Sequence, residues 1–209
     1  LAHGSRAVVA AGTGLGHAAL AWNGREHLVI ASEAGHAGFA PADELQEELL
    51  HYLRRELPIV CVEHVVSGPG LHRIYRFLRD TSRGDEPTWL AEEIASGDPA
   101  AVIARTAMER RSKLCEDALD LFVSAYGSQA GNFALCVLAT GGVYLAGGIA
   151  PRILARLRTP EFLRAFADKG DLSELVRAIP VHVVVDERVG LLGAARASAT
   201  ASRAPKPLA

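Results

Sequence analysis

The sequence of 209 residues lacks the features that mark several classes of protein. Its three cysteines, Cys61, Cys115 and Cys136, are an odd number set far apart, so they predict neither a disulfide framework nor a zinc knuckle. Every apolar run is interrupted before it reaches the roughly 18 residues of a membrane-spanning helix. The charges nearly cancel, with 22 Lys and Arg against 24 Asp and Glu, which argues against a nucleic-acid or membrane-surface protein. These absences favour a cytoplasmic globular protein.

The patterns that are present predict an α/β fold, because strand and helix periodicities alternate after an initial β-meander. Asn23-Gly24 lies between two apolar runs and is typical of a tight hairpin turn. Asp43 is suited to cap the first helix, and Pro58 follows its end. The predicted strands are 8–11, 18–22, 27–31, 142–146 and 181–185, with a short strand or helix end within 60–66. The predicted helices lie within 41–58 and at 71–78, 90–95, 99–108, 110–138, 151–157, 160–167, 172–178 and 191–197.

Both ends of the sequence carry an expectation about domain organisation. The chain begins at Leu1 and enters a predicted buried strand within a few residues, so we expect a C-terminal piece of a longer protein. Residues 1–189 are predicted to form one large α/β domain, and 190–209 a C-terminal helix and tail. Residues 198–209 are rich in Ala, Ser and Pro and are predicted to fray.

The strongest local signal is Gly12-Thr13-Gly14-Leu15-Gly16, which lies between two predicted strands. Glycines let backbone N–H groups approach an anion without a Cβ in the way, and Thr13 adds a hydroxyl donor. A tight hairpin without any ligand is an equally good interpretation of this motif alone. No Gly-Lys-Ser/Thr follows, so a Walker A loop is excluded, and the strand that follows argues against a dinucleotide fingerprint.

Two further motifs carry polar side chains. Glu33 and His36 follow a predicted strand, and an acid and a histidine at this spacing can hydrogen-bond two neighbouring hydroxyls of a polyol. Glu63 precedes a rigid Gly68-Pro69-Gly70 turn and could hold another hydroxyl. A zinc site would need a third and a fourth ligand, which the spacing does not offer. A surface histidine beside a capping glutamate, and an ordinary solvated Glu63, are the alternatives.

The last motif is a predicted strand that ends in Gly147-Gly148 and continues into a helix. Ligands of α/β proteins bind beyond the carboxyl ends of strands, and glycine there permits the close approach of a base or a ribose. A tight strand-to-helix turn without a ligand explains the same residues equally well.

Taken in order, these motifs resemble the bacterial ATP-dependent glucokinase family, and Gly190-Leu191-Leu192-Gly193-Ala194-Ala195 resembles its C-terminal helix. The similarity runs from about residue 8 to residue 196. The family belongs to the actin-like/hexokinase ATPase superfamily. The resemblance therefore implies a ribonuclease H-like large lobe, in which a mixed β-sheet is flanked by helices.

The resemblance also implies a function: ATP-dependent phosphorylation of D-glucose to glucose 6-phosphate, with Mg²⁺, in the glycolysis of the cytoplasm. Glu33, His36 and Glu63 would bind glucose. ATP would contact two glycine segments, through Gly12, Thr13, Gly14, Gly16, Gly147 and Gly148. No metal ligand is assigned in the chain, and a homodimer is implied.

This sequence departs from the family's pattern in three places. Ala34 replaces a glycine, and Gly38 stands where an acid is usual, although neither change removes an assigned contact. The family's N-terminal lobe, with its Asp-x-Gly-Gly-Thr loop and the Asn-Asp pair that supplies the general base, is not in this chain. We therefore assign no catalytic residue here and expect little activity from the chain alone. We also expect the helix at 191–197 to have lost a partner.

Two other functions remain alternatives. One is another sugar kinase of the superfamily. The zinc-containing repressor/kinase group shares Glu-x-Gly-His, but it carries a Cys-x-Cys-Gly cluster that this sequence lacks. The other is a non-catalytic regulatory module that binds a sugar or a nucleotide.

Overall fold

The structure is a computed structural model that describes residues 3–186 and 188–201, and the remainder of the predicted tail, 202–209, lies outside the described residues. The strands are β1 (Arg6–Ala11), β2 (Leu15–Trp22), β3 (His27–Ser32), β4 (Val143–Ala146) and β5 (Val181–Val183). The α-helices are α1 (Glu44–Leu53), α2 (Gly68–Asp80), α3 (Thr88–Ser96), α4 (Pro99–Met108), α5 (Lys113–Val137), α6 (Ile149–Arg152), α7 (Leu154–Leu157), α8 (Pro160–Ala167), α9 (Ser173–Arg177) and α10 (Val189–Ala201). Short 3₁₀ turns lie at Ala34–His36, Val62–His64 and Gly170–Leu172.

One five-stranded sheet has the order β3-β2-β1-β4-β5. β2 pairs antiparallel with both of its neighbours, whereas β1, β4 and β5 pair in parallel. The hairpin between β2 and β3 closes as the sequence predicts, because the backbone N–H groups of Arg25 and Glu26 both donate to Asn23 Oδ1. The mixed sheet and its flanking helices confirm the predicted fold class.

The core lies between the sheet and α5. Alternate residues of β1, namely Ala7, Val9 and Ala11, are fully buried, as expected for a strand with one face on a helix layer. The hydroxyl of buried Tyr126 in α5 donates to the carbonyl of Val9 at 3.0 Å, which ties this helix to the central strand. α5 therefore supports the strand that leads into the glycine-rich segment.

Several predicted helix and strand boundaries were wrong. The long helix begins at Lys113 and not at 110, because Arg110 has φ 56° and the Ser112 side chain caps the helix by accepting from the N–H of Cys115. Residues 151–157 form parts of two short helices, α6 and α7, which meet at Ile153. The last strand ends at Val183 instead of 185.

The C-terminal helix is longer than predicted and stands apart from the core. It includes 198–201, which the sequence placed in the tail. Leu191 and Leu192 are 75% and 60% exposed, and every side chain described in α10 is exposed. Among the described residues, no helix is long and apolar enough to cross a membrane.

Candidate functional site

The glycine-rich segment connects β1 to β2 through a tight turn of residues 12–14, which we call the glycine turn. The Gly12 N–H donates to the Gly14 carbonyl at 2.8 Å, and Ala11 and Leu15 pair across the base of the turn. Leu15 and Gly16 belong to β2, so the predicted loop is shorter than its motif. Thr13 at the tip is exposed and available to a ligand.

Glu33 and His36 lie at the carboxyl end of β3, within one turn of each other. Glu33 follows the strand directly, and its carbonyl accepts from the N–H of His36 at 2.9 Å. Both side chains are exposed. The local sequence fixes this pair, since three residues of 3₁₀ turn bring them together.

Glu63 joins this pair from a distant part of the chain. Its Oε1 lies 3.9 Å from His36 Nε2, and the two side chains are 28% and 66% exposed. Two backbone bonds hold the segments side by side: Phe39 N–H to the Val60 carbonyl, and Val62 N–H to the Ala37 carbonyl, each 2.9 Å. We call Glu33, His36 and Glu63 the carboxylate–histidine cluster.

The turn that carries Glu63 is held on both sides. The Ser67 hydroxyl donates to the Glu63 carbonyl at 2.7 Å and accepts from Gly70 N–H, so the cap of α2 also anchors this turn. On the other side His64 Nδ1 accepts from the Cys61 N–H at 3.1 Å. Burial, and then the positive charge of Arg73, lower the pKa of His64. The neutral ring is the form that can accept this bond.

A cleft of about 670 Å³, which we call the large cleft, borders the glycine turn. Three of the six residues predicted to bind a nucleotide line it, namely Gly12, Thr13 and Gly148. A Cβ on Gly12 or Gly148 would meet no atom within 4 Å, so their backbone is open to a ligand.

The other three glycines predicted to contact ATP do not line the large cleft in the described chain. Gly147 has φ 82°, and a Cβ there would lie 2.2 Å from the Ala11 carbonyl oxygen, so it lets the end of β4 approach the end of β1. Gly14 faces Glu63, and Gly16 lies within β2.

Sequence reasoning missed the helical walls of the large cleft. His72 of α2 and Arg152 of α6 line it, as does Asp98, whose Oδ1 caps α4 by accepting from the Ala100 N–H at 3.0 Å. Burial is the main cause that lowers the pKa of His72, followed by the positive charge of Arg76. The Asp98-Pro99 helix start was visible in the sequence, but nothing local shows that it faces the glycine turn.

Among the described residues, no group of three or more His, Cys, Asp or Glu side chains could hold a metal ion. Asp98 supplies a single carboxylate to the large cleft. One carboxylate suits Mg²⁺ when the phosphates of a nucleotide supply other ligands, which is a common way for proteins to bind this ion.

The glycine turn thus borders two places of different chemistry. In the first, a carboxylate and a histidine can accept hydrogen bonds from neighbouring hydroxyls and donate to them. In the second, a partly apolar cleft with open backbone at Gly12 and Gly148 suits a flat ring and an anion.

Comparison with known proteins gives a consistent match along the chain. The family model described as Glucokinase matches residues 1–201. A glucokinase from Nostoc sp. is 43% identical over 206 residues, which cover 92% of this chain and 60% of that protein. The chain thus spans about 60% of the length of curated relatives that it matches.

Solved structures give the same match in three dimensions. The crystal structure of a glucokinase from an Antarctic psychrotroph has a TM-score of 0.81 and 32% identity, covering 95% of this chain and 59% of that one. A ROK family glucokinase from Streptomyces griseus, solved in complex with glucose and AMPPNP, shares the fold with a TM-score of 0.62 at 19% identity, covering 94% of this chain and 61% of that one.

Proposed function

Because the chain belongs to the glucokinase family, we propose that it forms the glucose- and ATP-binding lobe of an enzyme that phosphorylates D-glucose to glucose 6-phosphate. One observation carries the proposal. The glycine turn contacts both places: Gly14 faces Glu63, whose carboxylate lies 3.9 Å from His36, and Gly12 and Thr13 line the large cleft. A sugar hydroxyl and a terminal phosphate would therefore meet at this turn.

The carboxylate–histidine cluster would bind the sugar. Carboxylate oxygens accept hydrogen bonds from hydroxyl groups, and each charge-assisted bond contributes roughly 1.5–3 kcal/mol. Glu33, His36 and Glu63 together offer acceptors and a donor, which suits the adjacent hydroxyls of a hexose. Glu33 and His36 are exposed and Glu63 is half-buried, so a ligand can reach all three.

The large cleft would bind ATP. Gly12, Thr13 and Gly148 would contact it directly, while Gly14, Gly16 and Gly147 would shape the backbone around it. ATP would supply the phosphoryl group, and Mg²⁺ would bind together with ATP as the Mg-ATP complex. A volume of about 670 Å³ is within the range of small-molecule sites.

The general base would come from residues outside this chain. No Asn-Asp pair and no Asp-x-Gly-Gly-Thr loop occur in the sequence. Loss of a general base reduces a rate by about 10²–10⁴-fold. We therefore propose that the chain binds both substrates but turns them over very slowly.

We further propose that the protein acts in the cytoplasm and as a homodimer. All three cysteines are free, and Cys61 and Cys115 are buried, which suits a reducing compartment. The exposed Leu191 and Leu192 of α10 offer apolar surface for another lobe or another copy.

Isothermal calorimetry with glucose and with Mg-ATP tests the proposal. We expect both ligands to bind, and Glu33→Ala to weaken glucose binding by about 10–100-fold, because one charge-assisted hydrogen bond is lost. Glu26→Ala is the matched control, since Glu26 is an exposed glutamate at the far end of β3. It should leave glucose binding unchanged.

Other outcomes would favour the alternatives. Binding of ATP with no glucose affinity would favour a different sugar kinase, and binding of glucose without ATP would favour a regulatory module. Glucose affinity that is the same in Glu33→Ala and in the unmodified chain would contradict the proposed sugar site.

A further inference from the structure

The carboxylate of Glu63 also contacts the glycine-rich segment. Its Oε2 accepts a hydrogen bond from the backbone N–H of Leu15 at 2.7 Å. Leu15 is buried at the start of β2, directly after the glycine turn. A bond to an ionised carboxylate is roughly twice as strong as a neutral one, so this contact holds the turn firmly.

Two further features join the glycine turn to the Glu63 segment. A Cβ on Gly14 would lie 2.6 Å from Glu63 Oε2, so the turn and the carboxylate are in direct contact. The Gly68 N–H, at the start of α2, donates to the Gly12 carbonyl at 2.8 Å. The turn is thus held at its beginning by Gly68 and at its end by Glu63.

The two oxygens of Glu63 point to different partners. Oε2 accepts from Leu15, whereas Oε1 lies 3.9 Å from His36 in the carboxylate–histidine cluster. Glu63 does not line the large cleft in the described chain. The Glu63 side chain touches the glycine turn, so it can affect nucleotide binding through that turn.

We infer that Glu63 is a positioning residue for the nucleotide-binding turn as well as a sugar ligand: Oε2 holds the turn in place, and Oε1 is left for the sugar. This inference rests on the proposed function. It follows that replacing the Glu63 carboxylate alters nucleotide affinity. It also follows that a side chain added to the glycine turn, which would push this carboxylate aside, alters sugar affinity.

Glu63→Ala removes the anchor, and we expect Mg-ATP affinity to fall about tenfold, because the turn loses a charge-assisted hydrogen bond. Glu63→Gln keeps an acceptor oxygen for the Leu15 N–H, so it should restore Mg-ATP affinity to within about threefold of the unmodified chain. Glu33→Ala is the matched control. It lies in the same cluster but makes no side-chain cap bond and no bond to the turn, so only glucose affinity should fall.

Gly14→Ala tests the contact between the glycine turn and Glu63 by changing the turn instead of the carboxylate. The new Cβ would displace the Glu63 carboxylate, which is the free end of a side chain, and the backbone need not move. We expect glucose affinity to fall about tenfold with the fold intact. Gly190→Ala in α10 is the control, because its Cβ would meet no atom within 4 Å and so does not approach Glu63. It should leave glucose affinity unchanged.

All variants are measured by calorimetry on the full chain, with circular dichroism to check the fold. Mg-ATP affinity of Glu63→Ala that matches Glu33→Ala would overturn the inference, and so would unchanged glucose affinity in Gly14→Ala. If Glu63→Ala does not fold, Gly14→Ala still decides the matter. An unmodified chain that binds neither glucose nor Mg-ATP would instead overturn the proposed function.

Discussion

At the scale of single residues, three histidines share a lowered pKa. Burial is the largest cause for His17, His64 and His72. His17 is the most buried of them; its Nε2 lies 3.2 Å from Gln129 Nε2, and its ring packs edge-on against Phe133. The folded protein therefore favours neutral imidazoles in its sheet and beside its proposed site.

The lowered pKa values make the free energy of unfolding depend on pH. The unfolded chain takes up protons at a pKa near 6.5, whereas the folded chain takes them up only at lower pH. The free energy of unfolding should be constant above this pH and fall as the pH drops through it. His17→Gln should reduce that fall, and His51→Gln, an exposed histidine on α1, should not.

Urea unfolding at pH 7.5 and at about pH 5.5 measures the effect, since the midpoint reports stability at constant slope. A free energy of unfolding that rises on acidification would contradict the lowered pKa values of the three histidines.

The residues of the proposed site differ in how far the sequence could predict them. Glu33 and His36 are three positions apart, so a single turn brings them together whatever the rest of the chain does. The approach of Glu63 depends on backbone bonds from Phe39 and Val62, which no local periodicity reveals. The resemblance to known kinases supplied that grouping, and the Leu15–Glu63 bond was not foreseen at all.

At the scale of elements, α5 and α8 come into unusually close contact. A Cβ on Gly127 would lie 2.5 Å from the Phe162 carbonyl oxygen, and one on Gly131 would lie 2.2 Å from that of Phe166. The small residues in the middle of α5 therefore let the neighbouring helix approach closely.

Gly127→Ala should therefore destabilise the protein by about 1–3 kcal/mol, because overpacking outweighs the gain in helix propensity of about 1 kcal/mol. Gly193→Ala in α10 is the control, since its Cβ would meet no atom within 4 Å. Urea unfolding should show a lower midpoint only for the first variant. A higher midpoint for Gly127→Ala would mean that propensity dominates at this position.

The elements themselves were more predictable than their ends and partners. Asn23-Gly24 identifies the hairpin because its side chain and its glycine are what the turn needs. The parallel pairing of β1 with β4 joins strands that are far apart in sequence, with five of the ten α-helices of the described chain between them. Local patterns carry no information about such pairing, since it depends on packing of the whole core.

At the scale of the whole molecule, α10 differs from every other long helix. All of its described side chains are exposed, whereas α5 buries most of its length. Hydrogen exchange should thus be much faster in α10 than in α5, because few tertiary contacts oppose local opening. Mass spectrometry of the exchanged peptides measures this difference.

The same measurement at several protein concentrations tests the proposed dimer. Protection of α10 that increases with concentration would indicate burial against a second copy. If α10 were as well protected from exchange as α5 at all concentrations, this would contradict the exposure of α10 in the structure.

The glycine turn has one consequence for how such a protein diversifies. Residue 14 touches the carboxylate proposed to hold the sugar, while Gly12 and Thr13 border the cleft proposed for the nucleotide. A mutation that widens the choice of sugar through this turn would then alter the choice of phosphoryl donor as well. Relatives that differ in sugar preference through this turn should therefore also differ in their preference for the phosphoryl donor.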